Sequence, residues 1–197
     1  WCLCVKVFVC FFFFEAEDGI RVFCLSGGLG EVYRRRALTG HVVLSTLHTN
    51  TAVGAIPRLL DMGIDAFLLA SSLRCVVGQR LVRVLCQHCK KPGPIGQELE
   101  IFARRKEVMN GGPPSQIWYA AGCERCSGTG YNDRIVLSEV LDVDDEIREL
   151  IQPNVSTATI EGVASRKGMA SMVADGLDKC RNGLTTTEEI RRVVLDI

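Results

Sequence analysis

The chain has 197 residues, 47% of them apolar, with 23 acidic and 23 basic side chains and a formal net charge of zero. That length allows one large domain or two small ones, with enough apolar material for a core. Balanced charge, with no basic run longer than three residues, as in Arg34-Arg35-Arg36, argues against a nucleic-acid binder, which carries a basic excess or stripe. Ten cysteines in a chain this long and apolar argue against a small disulfide scaffold and for metal in a reducing compartment.

Residues 1–14 are apolar, but too short to span a bilayer as a helix and without the basic start or small-residue cleavage site of a secretory signal. Phe11–Arg21 and Gly27–Arg36 read like translated sequencing-adapter read-through. Residues 1–36 are therefore expected to be foreign to the rest of the chain. Gly27, Gly28 and Gly30 are not followed by Lys-Ser or Lys-Thr, so they do not make a phosphate loop.

From residue 37 the pattern becomes regular. Gly40–Leu47 is rich in aliphatic and β-branched residues, which suits a strand buried on both faces, as in a parallel sheet. Thr49, Asn50 or Thr51 can cap a helix that runs to about Met62, with Gly63 as its stop. Pro57 inside that helix costs about 3 kcal/mol at a true interior position, so the helix is expected to bend or to start late. Asp65 caps a helix from Ala66 to about Val76, and Gln79–Leu85 reads as a strand. Residues 90–122 begin as loop, with a short helix over Glu98–Met109 and a turn at Gly111–Pro114. Arg134–Leu141 reads as a strand. Beyond it lie helices capped by Asp144 and Ser156, a third over Ala170–Arg181, and a last one opened by the capping box Thr186-x-x-Glu189.

The strongest chemical signal is Cys86-x-x-Cys89 with Cys123-x-x-Cys126. Each pair can aim two thiolates at one ion, and the four complete a tetrahedral sulfur shell for zinc. With no position left for water, such a site is structural, and its binding energy adds to folding. His88, between the first two cysteines, is a weaker ligand candidate. Cys75 and Cys180 read as ordinary buried thiols. Cys123–Gly130 also matches the C-x-x-C-x-G-x-G unit of DnaJ-type chaperones, but only once; Gly128 and Gly130 free the backbone to wrap a metal. His41 and His48 bracket one strand. On the residues alone they are either packed or exposed side chains without chemistry, or contacts to an anionic ligand. No Ser/His/Asp or Cys/His arrangement stands out as a nucleophile site.

Ala37–Asn50 closely resembles the histidine box of the type II secretion and type IV pilus assembly ATPases. Arg58–Gly63, Phe67–Leu73, Gln79–Arg83, the cysteine quartet, Gly130-Tyr131, Val143–Ile151, Gly168-Met169 and Thr186–Val194 continue the likeness, which covers residues 37–197. The resemblance implies an α/β fold. A partial RecA-like ATPase core would occupy residues 37–85, an inserted tetracysteine zinc subdomain 86–134, and a C-terminal helical subdomain 135–197. It further implies a homohexamer on the cytoplasmic face of the bacterial inner membrane. That assembly would bind inner-membrane secretion platform proteins, use ATP and Mg2+, and power pilus or pseudopilus assembly, with no nucleic acid. His41 and His48 fall on nucleotide-sensing positions, and Cys86, Cys89, Cys123 and Cys126 on metal-ligand positions. Hydrolysis requires a Gly-x-x-x-x-Gly-Lys-Ser/Thr loop and an acidic partner for magnesium. Neither occurs in these 197 residues, so the chain is expected to be a C-terminal piece without turnover of its own. A free-standing zinc-ribbon module that binds protein or nucleic acid is the alternative.

Overall fold

The computed structural model describes residues 6–11, 43–94 and 116–195. The expected helix at Glu98–Met109, the Gly111–Pro114 turn and His41 lie outside them. The fold is mixed α/β. In chain order the elements are β1 (Lys6–Phe11), β2 (Val43–Leu47), α1 (Ala55–Asp61), α2 (Ala66–Ser72), β3 (Leu73–Leu85), β4 (Lys91–Gly93), β5 (Ile117–Tyr119), β6 (Tyr131–Asp142), α3 (Asp145–Glu149), α4 (Thr157–Arg166), α5 (Met172–Arg181) and α6 (Thr187–Ile190). A wider π-type turn, Arg191–Leu195, follows α6. The chain divides into two compact units, residues 4–79 with 139–169, and residues 1–3 and 80–138 with 170–197.

The first unit is built on the sheet order β2-β1-β3-β6. β1 pairs antiparallel with β2 (Val9↔Ser45) and with β3 (Val9↔Val76). This corrects the parallel-sheet expectation for the Gly40–Leu47 strand. Its burial alternates, with Ser45 and Leu47 buried but Leu44 and Thr46 only partly so. One face packs, as an antiparallel strand allows.

α1 starts late, at Ala55, which puts Pro57 in the first turn. There a backbone N–H has no intrahelical partner, so proline loses no bond. Thr51 Oγ1 accepts from Gly54 N at 3.1 Å and closes the turn that leads into it. Gly63 ends the segment in the left-handed region at φ +84°, where glycine carries no steric cost. Asp65 caps α2, its Oδ1 accepting from Phe67 N at 2.9 Å and Leu68 N at 3.3 Å. α2 stops at Ser72 rather than Val76, and β3 takes over at once. Cys75-Val76-Val77 are stiff or small side chains that suit a pleated surface better than a helix. Ile56, Leu59, Leu69, Leu73, Leu141, Ile147 and Ile160 are fully buried here, each contributing about 1.5–3 kcal/mol. Asp144 caps α3 through Ile147 N at 3.1 Å. Ser156 precedes α4 without a side-chain cap.

The second unit has a smaller apolar cluster of Val82, Ile117, Leu137, Leu177, Cys180, Ile190 and Val193. β4 and β5 form an antiparallel pair, Lys91↔Tyr119 and Gly93↔Ile117, and β4 falls in the stretch expected to be loop. α5 is capped by Ser171, whose Oγ accepts from Ala174 N at 3.2 Å.

Candidate metal centre

Four sulfurs meet in the second unit. Cys86 and Cys89 follow the end of β3. Cys123 precedes and Cys126 ends a single 3-10 turn, Glu124–Cys126, before β6. The four Sγ atoms all lie within 4.8 Å of one another. Measured pairs are Cys86–Cys123 at 3.9 Å, Cys89–Cys126 at 3.8 Å and Cys123–Cys126 at 3.7 Å. Thiolates about 2.3 Å from one tetrahedral ion sit about 3.8 Å apart. The donor set therefore fits a tetrathiolate-bound metal ion, and none of the four is in a disulfide.

The backbone explains why the sulfurs converge. After Cys86, the N–H groups of Cys89 and Lys90 both donate to Cys86 O, at 3.3 and 3.0 Å. After Cys123, the N–H groups of Cys126 and Gly128 donate to Cys123 O, at 3.2 and 2.9 Å. Gly130 is at φ +76°, and a Cβ there would lie 2.6 Å from the Ala120 Cβ. No other residue fits that turn. Gly130 also joins the two knuckles, its carbonyl accepting from Cys86 N at 2.9 Å.

The electrostatics favour thiolate at one corner. Burial alone raises the Cys126 thiol, but the backbone N–H groups of Cys123 and Gly130, each 3.2 Å from its sulfur, outweigh that and bring it down to about 6. Burial, aided by hydrogen bonds with Cys123, Cys86 and Cys126, pushes Cys89 up to about 12. Without an ion, then, Cys126 ionises readily while Cys89 holds its proton. A bound dication displaces that proton and balances the charge of the thiolates.

His88 turns away from the sulfurs. It is exposed, and its ring nitrogens face Arg125 Nη1 at 2.8 and 3.1 Å. His48 is exposed just past the end of β2. Cys180 is a buried thiol pushed up to about 12 by burial, whereas Cys75 is only partly buried.

A charged cluster in the same unit escaped the sequence reading. Glu189 is 1% exposed. Its carboxylate accepts from Arg83 Nη2 at 2.6 Å, Arg83 N at 3.0 Å, and Arg192 Nη2 and Nε at 2.7 and 2.9 Å. Burial alone raises its carboxyl, but the bonds from Arg192 and Arg83 outweigh that and hold it at about 2. Arg83 also stacks 4.1 Å above the Tyr131 ring, and Tyr131 Oη lies 3.0 Å from Thr186 Oγ1. The expected capping box is thus half made. Thr186 Oγ1 accepts from Glu189 N at 3.3 Å, while the Glu189 side chain ties α6 to β3. The one available signal was the i, i+3 spacing of Glu189 and Arg192.

Comparison with known proteins places this geometry in a family. The family model described as "Type II/IV secretion system protein" matches residues 31–192. Type II secretion system protein E of Aeromonas hydrophila is 46% identical over 157 residues, covering 80% of this chain and 30% of that protein. Type II secretion system ATPase E of Vibrio cholerae is 46% identical over 158 residues, covering 80% and 30%. Type IV pilus assembly ATPase PilB of Thermus thermophilus is 45% identical over 157 residues, covering 78% and 17%. The chain thus spans less than a third of the length of these curated relatives. With the match running through both cysteine pairs and the Glu189 cluster, the chain belongs to the Type II/IV secretion system protein family.

Proposed function

We propose that this chain is a section of a secretion-motor ATPase of the type II secretion or type IV pilus kind, and that its cysteine quartet holds a structural zinc. The single observation that carries the zinc reading is the tetrahedral spacing of the four sulfurs, which leaves no corner for a catalytic water. Zinc at Cys86, Cys89, Cys123 and Cys126 would clamp the end of β3 to the start of β6 and pass its binding energy to the fold of that unit.

Family membership supports the rest of the reading. The intact motor would be a RecA-like ATPase, hexameric, working at the cytoplasmic face of the inner membrane against the secretion platform. No helix of the described residues is long and apolar enough to cross a membrane, which is compatible with peripheral attachment. His41 and His48 would sense nucleotide phosphates supplied by the wider enzyme. The 197 residues carry no Gly-x-x-x-x-Gly-Lys-Ser/Thr loop, so ATP turnover would need residues beyond those that hold the metal.

Two experiments test this. Metal analysis of purified protein should find one zinc per chain. Replacing the matching segment of the Vibrio cholerae protein with residues 37–197 should preserve secretion. A folded chimera that assembles but does not secrete removes the motor reading, and ATP turnover by the purified 197-residue chain, in proportion to its concentration, removes the claim that it is inert alone.

A further inference from the structure

The four metal-holding sulfurs differ in accessibility, and the difference is ordered. Cys86 and Cys126 are buried, at 2% and 6% exposure, whereas Cys89 and Cys123 are partly open. Each open sulfur has a buried neighbour on the opposite knuckle, Cys89 facing Cys126 at 3.8 Å and Cys123 facing Cys86 at 3.9 Å. We propose that the quartet is a peroxide-oxidisable modification site. In it the metal clamp is exchanged for two disulfides across the knuckles, Cys89–Cys126 and Cys86–Cys123. This rests on the tetrathiolate reading above and extends it to what the same residues do when oxidised.

The chemistry needs only a small peroxide, here hydrogen peroxide. With the metal in place Cys89 is a thiolate, and its sulfur attacks one peroxide oxygen. An S–O bond forms, the O–O bond breaks, and hydroxide leaves to take a proton as water, giving a sulfenic acid. The Cys126 thiolate then attacks the Cys89 sulfur. The S–S bond forms, the S–O bond breaks, and a second hydroxide leaves as water. Two thiolates have given two electrons, and one peroxide has become two waters. Cys123 and Cys86 repeat the sequence with a second peroxide. The ion, stripped of all four ligands, departs as a free dication.

Two features favour bonds across the knuckles over bonds within them. Attack begins at the open sulfurs, and oxidation of Cys89 consumes Cys126. That removes the nearer alternative partner of Cys123, which stands 3.7 Å away on its own knuckle, and leaves Cys86. In addition, the Cys126 sulfur is held by the N–H groups of Cys123 and Gly130 at 3.8 Å from the Cys89 sulfur. The result is a covalent staple between the segments the metal joined, so the unit keeps its shape while losing its ion.

The test is a disulfide map of the purified protein after hydrogen peroxide, with zinc release followed in parallel by a chromogenic chelator. Trypsin cuts after Arg83, Lys90, Lys106, Arg125 and Arg134. The expected product is a single species of three peptides, 84–90, 107–125 and 126–134, joined by two disulfides, with fragmentation of 84–90 between Cys86 and Cys89 placing 126–134 on Cys89 and 107–125 on Cys86, one zinc freed per two disulfides, and reversal by dithiothreitol plus zinc. An internally closed 84–90 peptide, with 107–125 joined only to 126–134, overturns the proposal. So do sulfinic acids without cross-links, or unmodified thiols. The two readouts separate the readings: cross-linked peptides without any zinc release would count against the zinc reading, whereas a zinc-loaded protein that forms no cross-links would overturn the exchange alone.

Discussion

The unit of residues 4–79 and 139–169 and the unit of residues 80–138 and 170–197 are held by different means. In the first, α1, α2, α3 and α4 bury an apolar cluster that, among the described residues, is more than twice as large as the one in the second. The second compensates with directional bonds. It has four sulfurs arranged for a metal, a buried Glu189 with two arginines, and Arg80, buried itself, donating from Nη1 to Val193 O. Apolar burial is additive and forgiving of small losses, whereas a coordination shell or a buried charge is complete or costly. The first unit is therefore expected to soften gradually under mutation and the second to fail abruptly.

The largest effect should come from Cys126→Ser or from stripping the metal with a chelator. Structural zinc contributes on the order of 10 kcal/mol to the folding of the segment that binds it. Native-state hydrogen exchange should show lost protection at the amides of Cys86, Gly128 and Thr129 while Leu69 and Ile64 stay protected. Equal loss in both units would show that the metal does not stabilise the second unit selectively. Next, Leu59→Ala, at a side chain 1% exposed, should cost about 2–5 kcal/mol. Urea unfolding monitored in the first unit should record it, and metal content should be unchanged. The smallest effect should come from Glu189→Gln. Arg83 and Arg192 are 46% and 43% exposed, so solvent reduces the loss to about 1–2 kcal/mol.

The Glu189 effect carries a pH signature. Its carboxyl sits at about 2 in the fold against an ordinary 4.5, so folding favours the ionised form. That stabilisation is complete above the ordinary value and drains away as pH falls towards 2. Urea midpoints of the parent protein should fall over that range, and Glu189→Gln should flatten the slope. An equally steep slope in the variant would place the acid sensitivity elsewhere.

What the sequence disclosed was mostly local. The cysteine spacing, the caps at Asp65, Asp144 and Thr186, and the stop at Gly63 each act within a few residues, so the pattern and the physics share one length scale. What it hid was decided at a distance. Glu189 reads as half of a capping box until Arg83, 106 positions away, is brought beside it. β4 and β5 are three-residue strands that exist only because they pair with each other. The early end of α2 was visible in Val76 and Val77, but the apolar run Phe67–Leu69 beside them reads equally well as a longer helix. The buried Glu139, which accepts a hydrogen bond from Ala52 N, looks like any charged strand residue until β6 is placed.

The sulfurs that meet at the metal centre come from positions 37 apart in the chain, and this separates two kinds of evolutionary freedom. Within each knuckle the spacing is fixed, because one more or one fewer residue turns a sulfur away from the common point. Between the knuckles, β4 and β5 pair in one register, so a change of length inside either strand, or between it and its knuckle, shifts that register. Insertions and deletions should therefore collect in the sequence that joins Gly93 to Ile117 while the knuckles stay the same length, and that is the place to graft a reporter or affinity sequence.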